Sequence, residues 1–210
     1  MQAREAHNAN PRLGVQTPAA PFPLVVESRM APIKKKRAAR KTESLRADLW
    51  PDLDTDLLWD VDIHDGYTPV PRTMPIIMAI INDLTKGKPA GSTFFELWCR
   101  AYKEMYVSLG AAAALATHSG YTGVKAVRMW QERIEQLENL GFIRTAKGSA
   151  GRFSHAVILN PHKVIRKLYE SGAVGVTHDK YEALKERATE VGSDDFKPVK
   201  PVPAPAAAAA

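Results

Sequence analysis

Cysteine is nearly absent from the 210-residue sequence, which contains Cys99 alone. A single thiol excludes a disulfide framework and a thiolate metal site. Within FFELWCRAYKEM, an amphipathic helix, we expect this thiol to be buried and structural. Long apolar runs are missing too, since no stretch approaches the ~18 residues of a membrane span, and no signal peptide is seen. The sequence therefore predicts a soluble cytoplasmic protein with no membrane partner.

Catalytic motifs are also missing. The sequence has no Ser-His-Asp elbow, no P-loop, no GxGxxG after a strand and no HExxH. Six aspartates between residues 52 and 65 have a spacing similar to a calcium loop, but Leu57 stands where the loop needs glycine and no closing glutamate follows. His118 and His155 are isolated, which favours surface or capping roles over metal ligation. We therefore expect no enzyme, no catalytic residue, no cofactor and no metal.

Positive charge is concentrated in the middle of the chain, whose formal net charge is +6. Residues 1–71 contain ten basic and ten acidic side chains, whereas residues 72–170 contain fourteen basic and seven acidic ones. Residues 171–210 sum to −1. Because the apolar residues are concentrated in the same basic region, a polyanionic partner is favoured. A basic surface that binds no polyanion is the alternative.

The two ends of the chain are predicted to be disordered. Residues 1–29 have scattered prolines and weak periodicity, and Met30 is an alternative native start. Residues 1–47 as a whole are interpreted as a disordered basic region, and residues 193–210 as a Pro/Ala-rich tail that cannot form a core. The basic cluster is an arm along phosphates, a nuclear localisation signal or a solvated tail. It consists of Lys34, Lys35, Lys36, Arg37, Arg40 and Lys41.

An acidic and aromatic stretch, residues 48–71, precedes the main domain, and we call it the acidic–aromatic segment. Its aspartates alternate with apolar residues that include Trp50, Leu57 and Trp59. This pattern indicates docking on a basic or apolar surface, either of a protein partner through residues 48–66 or of the chain itself. A short edge strand of the core is the alternative.

From residue 72 onward, start and stop signals predict a domain over 72–172 and a further helix over 173–192. Thr73 and Pro75 open a first helix that Gly87 closes. The capping box from Thr93 to Glu96 opens a second helix that runs to about Tyr106, and LGAAAALATHSG predicts a short third one. A fourth helix is predicted over 122–140, with Thr122 as N-cap and Gly141 at its end. A hairpin around Gly148 and Gly151 follows it. Two further helices are predicted, over 161–171 between Asn160-Pro161 and Gly172, and over 178–191 between Thr177 and Gly192.

The helix over 122–140 has an apolar side and an unusual order of charges. At about 100° per residue, the apolar side consists of Ala126, Val127, Trp130, Ile134 and Leu137. On the other side the basic residues come first and the acidic ones later, in the order Lys125, Arg128, Glu132, Glu135 and Glu138. A helix dipole favours acid first and base last, so this order costs roughly a few tenths of a kcal/mol per charge. The unfavourable order of charges therefore indicates that these side chains serve a function.

The stretch LATHSGYTGVKAVRMWQERIEQLENLGFIRTA resembles the winged helix-turn-helix superfamily, in the form found in bacterial, plasmid and phage regulators. The resemblance covers about residues 73–170. It implies a mostly α fold with a small β-hairpin wing, flanked by the disordered tails. In that superfamily the second helix of the turn lies in the major groove of DNA, and the wing contacts the backbone or the minor groove. The resemblance therefore implies a double-stranded DNA-binding regulator of transcription or of plasmid or phage maintenance, nucleoid-associated if bacterial.

This resemblance assigns base contacts to the helix over 122–140 and phosphate contacts to the wing tip at 147–152. The residues expected to meet DNA are Thr122, Lys125, Arg128 and Met129 on the helix, Arg144, Lys147 and Arg152 on the wing, and Lys34, Lys35, Lys36 and Arg37 in the basic arm. The charge order is then explained, because the glutamates lie where the helix leaves the groove.

Three further expectations stay open. A homodimer would use the helix over 178–191 or the acidic–aromatic segment as its interface. The same fold also serves as a protein-interaction or assembly module without sequence-specific DNA binding, with the acidic–aromatic segment as the contact. In a combined hypothesis, this segment folds back on the basic face and competes with DNA.

Overall fold

The computed structural model describes residues 33–197, with side chains from residue 40 onward. The chain divides into two compact units, Met1–Trp59 and Asp60–Ala210. The predictions about residues 1–32, including the alternative start at Met30, lie outside the described residues, and so does the Pro/Ala-rich stretch from residue 198.

The first unit contains one long helix, α1 (Ile33–Leu49), and a 3-10 turn over Thr55–Leu57. Residues 33–47, which were expected to be disordered, are therefore helical in this structure. Most of these residues are Lys, Arg, Ala, Leu and Glu, which favour helix strongly enough to outweigh their like charges. Asp54 begins the 3-10 turn, and its carboxylate accepts a hydrogen bond from the Asp56 amide at 3.0 Å.

The acidic–aromatic segment contains no strand, so the edge-strand alternative is wrong. Its aspartates bend the backbone into turns instead, as short acidic side chains do when they accept from amides two residues on. In the second unit, for example, the Asp60 carboxylate accepts from the Asp62 amide at 2.9 Å.

The second unit is mostly helical with one small sheet, as expected. Its helices are α2 (Met74–Leu84), α3 (Gly91–Arg100), α4 (Ala112–His118), α5 (Ala126–Asn139), α6 (Pro161–Glu170) and α7 (His178–Glu190). Its strands are β1 (Tyr106–Ser108), β2 (Ile143–Gly148) and β3 (Gly151–Ile158). They form an antiparallel sheet in the order β1-β3-β2, with Tyr106 opposite Val157 and Ile143 opposite Ile158.

Strand β1 is an element of the second unit that the sequence did not predict. The second helix was expected to run to about Tyr106, but α3 ends at Arg100. Glu104 and Met105 have φ values of 60° and 59°, a conformation that cannot continue a right-handed helix. The chain leaves this kink extended, with Val107 buried between exposed neighbours, and pairs with β3.

The core lies between the sheet and helices α2 to α5. The predicted apolar side of α5 is confirmed, since Trp130, Ile134 and Leu137 are fully buried. Phe94 of α3 meets Phe142 edge-on at 5.6 Å between ring centroids. Each such side chain contributes about 1.5–3 kcal/mol by leaving water, so the packing fixes where the exposed side of α5 points.

Several predicted helix ends are confirmed. Asn160 caps α6 by accepting from the His162 and Lys163 amides, and Thr177 caps α7 by accepting from the Lys180 amide. Gly141 follows α5 with a φ of 81°. These residues satisfy amides and carbonyls that a helix leaves unpaired at its ends.

The predicted capping box at Thr93 is wrong. Helix α3 begins two residues earlier, at Gly91, and Thr93 is buried within it. The Gly91 amide donates to Asn82 Oδ1 at 2.8 Å, and a Cβ at this position would lie 2.8 Å from both that oxygen and the Met78 carbonyl. Glycine therefore allows α3 to start in contact with α2, which the capping pattern could not reveal.

The C-terminal part of the second unit packs on α6 and α7. Helix α7 lies against α2, where Lys180 forms an ion pair with Asp83. The predicted tail starts too early at residue 193, since Asp195 Oδ1 accepts from Asn160 Nδ2 at 2.8 Å and the Phe196 ring meets His162 at 5.5 Å. Apolar and polar contacts thus hold the chain at least to Phe196.

Candidate functional site

The loop before α5 differs from the prediction. Helix α5 begins at Ala126, so Thr122 is not its N-cap, and Lys125 holds that position without a side-chain capping bond. Gly123 has a φ of 79°, and its carbonyl accepts from the Ala126 amide at 3.0 Å. This left-handed residue prevents the helix from starting earlier. Residues 122–125, which we call the entry loop, are exposed.

Tyr121 anchors the entry loop to the core. Its amide donates to the Ala116 carbonyl of α4 at 2.9 Å, which closes the tight turn between α4 and α5. Its hydroxyl lies 2.8 Å from Thr93 Oγ1, and the Arg133 guanidinium lies 5.4 Å from its ring centroid. Both Thr93 and Arg133 are buried. The exposed entry loop therefore starts from a residue, Tyr121, that is held by contacts with α4, Thr93 and Arg133.

A loop lysine and a helix arginine meet on Glu132, in the second turn of α5. Arg128 is 79% exposed, and its Nε lies 3.3 Å from Glu132 Oε1. Lys88, in the loop between α2 and α3, places its Nζ 2.9 Å from Glu132 Oε2. The pKa of Glu132 is lowered, mainly by the hydrogen bond from Lys88. The charge of Lys88, together with the hydrogen bond and the charge of Arg128, lowers it further, whereas burial acts in the opposite direction. We call Lys88, Lys125 and Arg128 the basic entry cluster.

Two predicted contact residues, Lys125 in the entry loop and Met129 in α5, have different surroundings. Lys125 makes no ion pair and no side-chain hydrogen bond within the described part of the chain, and it is exposed. Met129 is half-buried, and its carbonyl accepts from Arg133 Nη1 at 3.3 Å. Lys125 is thus available to a ligand, whereas the contact of Met129 with Arg133 is made by its backbone.

The later glutamates of α5 hold the hairpin. Glu135 Oε1 lies 2.9 Å from Arg152 Nη1, and Glu138 Oε2 lies 3.7 Å from Arg152 Nη2. Glu138 also accepts from the Thr145 amide at 3.0 Å and from the Thr145 hydroxyl. The acidic end of α5 therefore has internal partners on β2 and β3, and the Arg152 charge is already matched.

The structure separates Arg144 from the other predicted residues. Arg144 lies at the β2 end near the C-terminus of α5 and lines a groove of about 770 Å³ together with Lys163 and Lys167 of α6. Helix α5 has 14 residues, so its two ends lie about 20 Å apart at a rise of ~1.5 Å per residue. Arg144 therefore does not join the basic entry cluster.

Lys147 lies near the tip of the hairpin, exposed, and makes no ion pair in the residues that the structure describes. Next to it, a Cβ at Gly148 would lie 2.6 Å from His155 Nε2, so the two strands approach each other closely there. Of the predicted wing residues, Lys147 alone combines exposure with a position at the tip and an unmatched charge.

The basic arm is placed in α1, within the first unit. Lys34, Lys35, Lys36 and Arg37 are helical, and their side chains lie outside the described ones. Arg40 and Lys41, which follow, are exposed. Like charges along one helix leave it available to a polyanion, but the arm's contacts stay a prediction.

Cys99 is exposed, so the predicted buried thiol is wrong. It follows the buried Leu97 by two residues, which places it about 200° around α3 and away from the core. Partial burial and then the Glu96 charge raise the pKa of the Cys99 thiol. Between residues 33 and 197 no cluster of three or more His, Cys, Asp or Glu side chains has a metal-binding arrangement, and no helix there is apolar over a membrane-spanning length.

Sequence reasoning missed Lys88, Tyr121 and Arg133. Lys88 follows a turn glycine in TKGKPAG and carries no periodic signal that would place it beside α5. Arg133 follows Glu132 on a helix rich in charged residues, yet it is buried against Tyr121. Comparison of the chain with family models, curated proteins and solved structures returned no match.

Proposed function

We propose that this protein binds double-stranded DNA as a winged helix-turn-helix domain, with the entry loop and the first turns of α5 in the major groove. The order α4, tight turn, α5, β2 and β3 supports this layout, because a helix pair joined by a short turn is followed directly by a hairpin. A regulator of transcription or of plasmid or phage maintenance is the class of protein that this activity fits.

The basic entry cluster carries the proposal. Lys88 and Lys125 come from different loops, and Arg128 joins them on the exposed side of α5. Cations that converge from separate elements are what phosphate neutralisation requires. Lys125 and Arg128 stand at the N-terminal end of α5, where the helix dipole also favours an anion, and Lys88 lies one turn further along, beside Glu132. The residues that place them there, Tyr121 and Arg133, are fixed in the core.

Each cation of the cluster has a distinct role in the proposed complex. Arg128 has the geometry for two hydrogen bonds to a guanine, and it exchanges Glu132 for the base because exposed ion pairs are weak. Lys125 and Lys88 contact phosphates on either side of the groove helix. Thr122 in the entry loop has a hydroxyl free to meet a base edge or a phosphate.

In the proposed complex, the hairpin contacts DNA through fewer residues than the resemblance implies. Lys147 binds a phosphate as the hairpin passes along the duplex, whereas Arg152 serves to position the hairpin against α5 through Glu135. The backbone carbonyl of Met129 accepts a hydrogen bond from Arg133. Thus the proposed DNA-contacting residues are Thr122, Lys125, Arg128 and Lys147, with Lys88 as an addition.

The test compares variants of the full chain in a DNA-binding titration. Lys125→Ala and Arg128→Ala should each weaken binding to a selected fragment at least tenfold, because each removes a charged contact. Lys103→Ala, another exposed lysine, is the matched control and should bind like the unaltered protein. Circular dichroism should show the same fold for all three, since none of these side chains is buried.

Equal affinity for all variants would overturn the assignment of the basic entry cluster. Equal loss in Lys125→Ala and Lys103→Ala would mean that only the overall positive charge matters. A protein that bound no DNA but lost a protein partner in Lys125→Ala would instead support the interaction-module alternative.

A further inference from the structure

We propose that the groove between α5, β2 and α6 binds the acidic–aromatic segment of a second copy of this chain. We call it the basic groove. The proposal concerns self-association and stands independently of DNA binding. Its lining consists of the end of α5, Arg144 of β2, and residues of α6 that include Lys163 and Lys167.

The basic groove combines an apolar floor with positive rims. Its apolar lining residues are Leu140, Ile143, Leu159, Val164 and Leu168. Arg144, Lys163 and Lys167 border it, and none of the three forms an ion pair or donates a side-chain hydrogen bond within residues 33–197. Three cations without an ion pair surround apolar side chains, although the Lys163 charge also acts on Asp195. This arrangement fits an acidic peptide with large apolar side chains.

The one acidic residue of the lining, Glu138, does not cancel this charge. Its carboxylate already accepts from the Thr145 amide and hydroxyl and faces Arg152. A carboxylate with these partners has little attraction left for the rim cations. The groove therefore presents net positive charge to a ligand.

Residues 48–66 have the matching composition. They contain seven aspartates and neither lysine nor arginine. Trp50, Leu53 and Leu57 are 60%, 37% and 77% exposed, and exposed apolar side chains of this size that lie close together are typical of interaction sites. The aspartates between them would meet the rim cations.

A second copy of the chain would cover the basic groove and the acidic–aromatic segment at the same time. Each chain has one basic groove and one exposed acidic–aromatic segment. If two copies exchange segments, each groove is filled and no complementary surface is left over. Such a reciprocal contact gives a closed two-fold dimer.

The test measures self-association of the full chain by sedimentation velocity. The unaltered protein should form a dimer at micromolar concentration, and raising the salt should weaken it, since the rims contribute by charge. A groove variant, Lys163→Glu with Lys167→Glu, should raise the dimer Kd at least tenfold. A segment variant, Asp52→Lys with Asp56→Lys, should raise it by a similar factor. Lys103→Glu, an exposed control, should leave it unchanged.

Mixing the two altered proteins is the decisive arm. The glutamates in the groove of the first then face the lysines introduced into the segment of the second, and the unaltered groove of the second faces the unaltered segment of the first. The mixture should therefore dimerise although neither variant does so alone. All substituted positions are exposed, and thermal melts should confirm that both variants fold.

Three outcomes would overturn the proposal. A protein that stays monomeric at every concentration would mean that the segment binds its own chain or another partner. A dimer that persists in both variants would use a different surface. A groove variant that dimerises normally but loses DNA as Lys125→Ala does would place the basic groove against DNA. Failure of DNA binding alone would leave the dimer results unaffected.

Discussion

Arg152 of β3 lies 2.9 Å from Glu135 of α5, measured from Nη1 to Oε1, and this ion pair joins the hairpin to the helix beside it. With Glu138 one turn later, it explains why the acidic residues of α5 come last. The order that the helix dipole disfavours is offset by contacts with the hairpin. The basic residues, which come first, have fewer internal partners and remain available to a ligand.

Removing Glu138 should cost more stability than removing Glu135. Glu138→Ala leaves the half-buried Thr145 amide without its acceptor, so the free energy of unfolding should fall by about 1–3 kcal/mol. Glu135→Ala loses an exposed pair and should cost less than about 1 kcal/mol. Urea unfolding measures both, with the exposed Glu170→Ala as control. Equal effects would mean that the Thr145 contact contributes no more than a surface ion pair.

Gly91→Ala should destabilise the second unit. The added Cβ would lie 2.8 Å from the Met78 carbonyl and from Asn82 Oδ1, which forces α2 and α3 apart. Overpacking of this kind costs about 1–3 kcal/mol. Gly110→Ala is the matched control, because its Cβ would meet Ala150 at 3.8 Å, an ordinary contact. Thermal unfolding should show a lower Tm for Gly91→Ala and an unchanged Tm for Gly110→Ala. An unchanged Tm would contradict the close helix approach.

Stability should fall between pH 7 and pH 5 because of His162. Its Nε2 lies 2.8 Å from Thr73 Oγ1, and burial lowers the pKa of its imidazole despite the opposing charge of Asp195. The unfolded chain, with the ordinary value of 6.5, binds the proton first. Protonation therefore favours unfolding as the pH falls below 6.5, and stability is regained as it rises.

His162→Gln isolates this effect. The variant should be less stable at pH 7, since it loses packing against Phe196, but its stability should change less between pH 7 and pH 5. The exposed His118→Gln should keep the full pH dependence. Urea unfolding at several pH values measures both. An unchanged slope in His162→Gln would assign the dependence to other groups.

Cys99 should react with a thiol reagent in the folded protein. The side chain is exposed, so one equivalent should be modified without denaturant. Because its pKa is raised, the thiolate is scarce at pH 7 and the rate should increase as the pH rises. Spectrophotometric titration follows the reaction. If the reaction required denaturant, the thiol would be buried, as the amphipathic pattern predicted.

The sequence predicted the elements whose signals are local. Caps at Asn160 and Thr177 and the apolar spacing of α5 depend on residues a few positions apart, and the structure confirms them. Strand β1 could not be predicted, because its backbone depends on pairing with β3 some fifty residues later. The start of α5 was misplaced because Thr122 has the chemistry of a cap, whereas Gly123 determines where the helix begins.

The candidate site was predictable only where one element supplies it. Lys125 and Arg128 follow from the periodicity of α5, but Lys88 joins them through the packing of α3 on α5. Arg144 was grouped with the wing because it is near Lys147 in sequence. Its position beside Lys163 depends on how α6 packs after the hairpin. Contacts between distant segments have no local sequence signal.

The most direct test of DNA recognition is a salt titration of the full chain against random-sequence and genomic DNA fragments. The account predicts steep salt dependence, with log K falling by about 0.9 per phosphate contacted for each unit of log salt. It also predicts that a subset of genomic fragments stays bound at salt concentrations that release random DNA. The absence of binding at low salt, or equal release of every fragment, would contradict it.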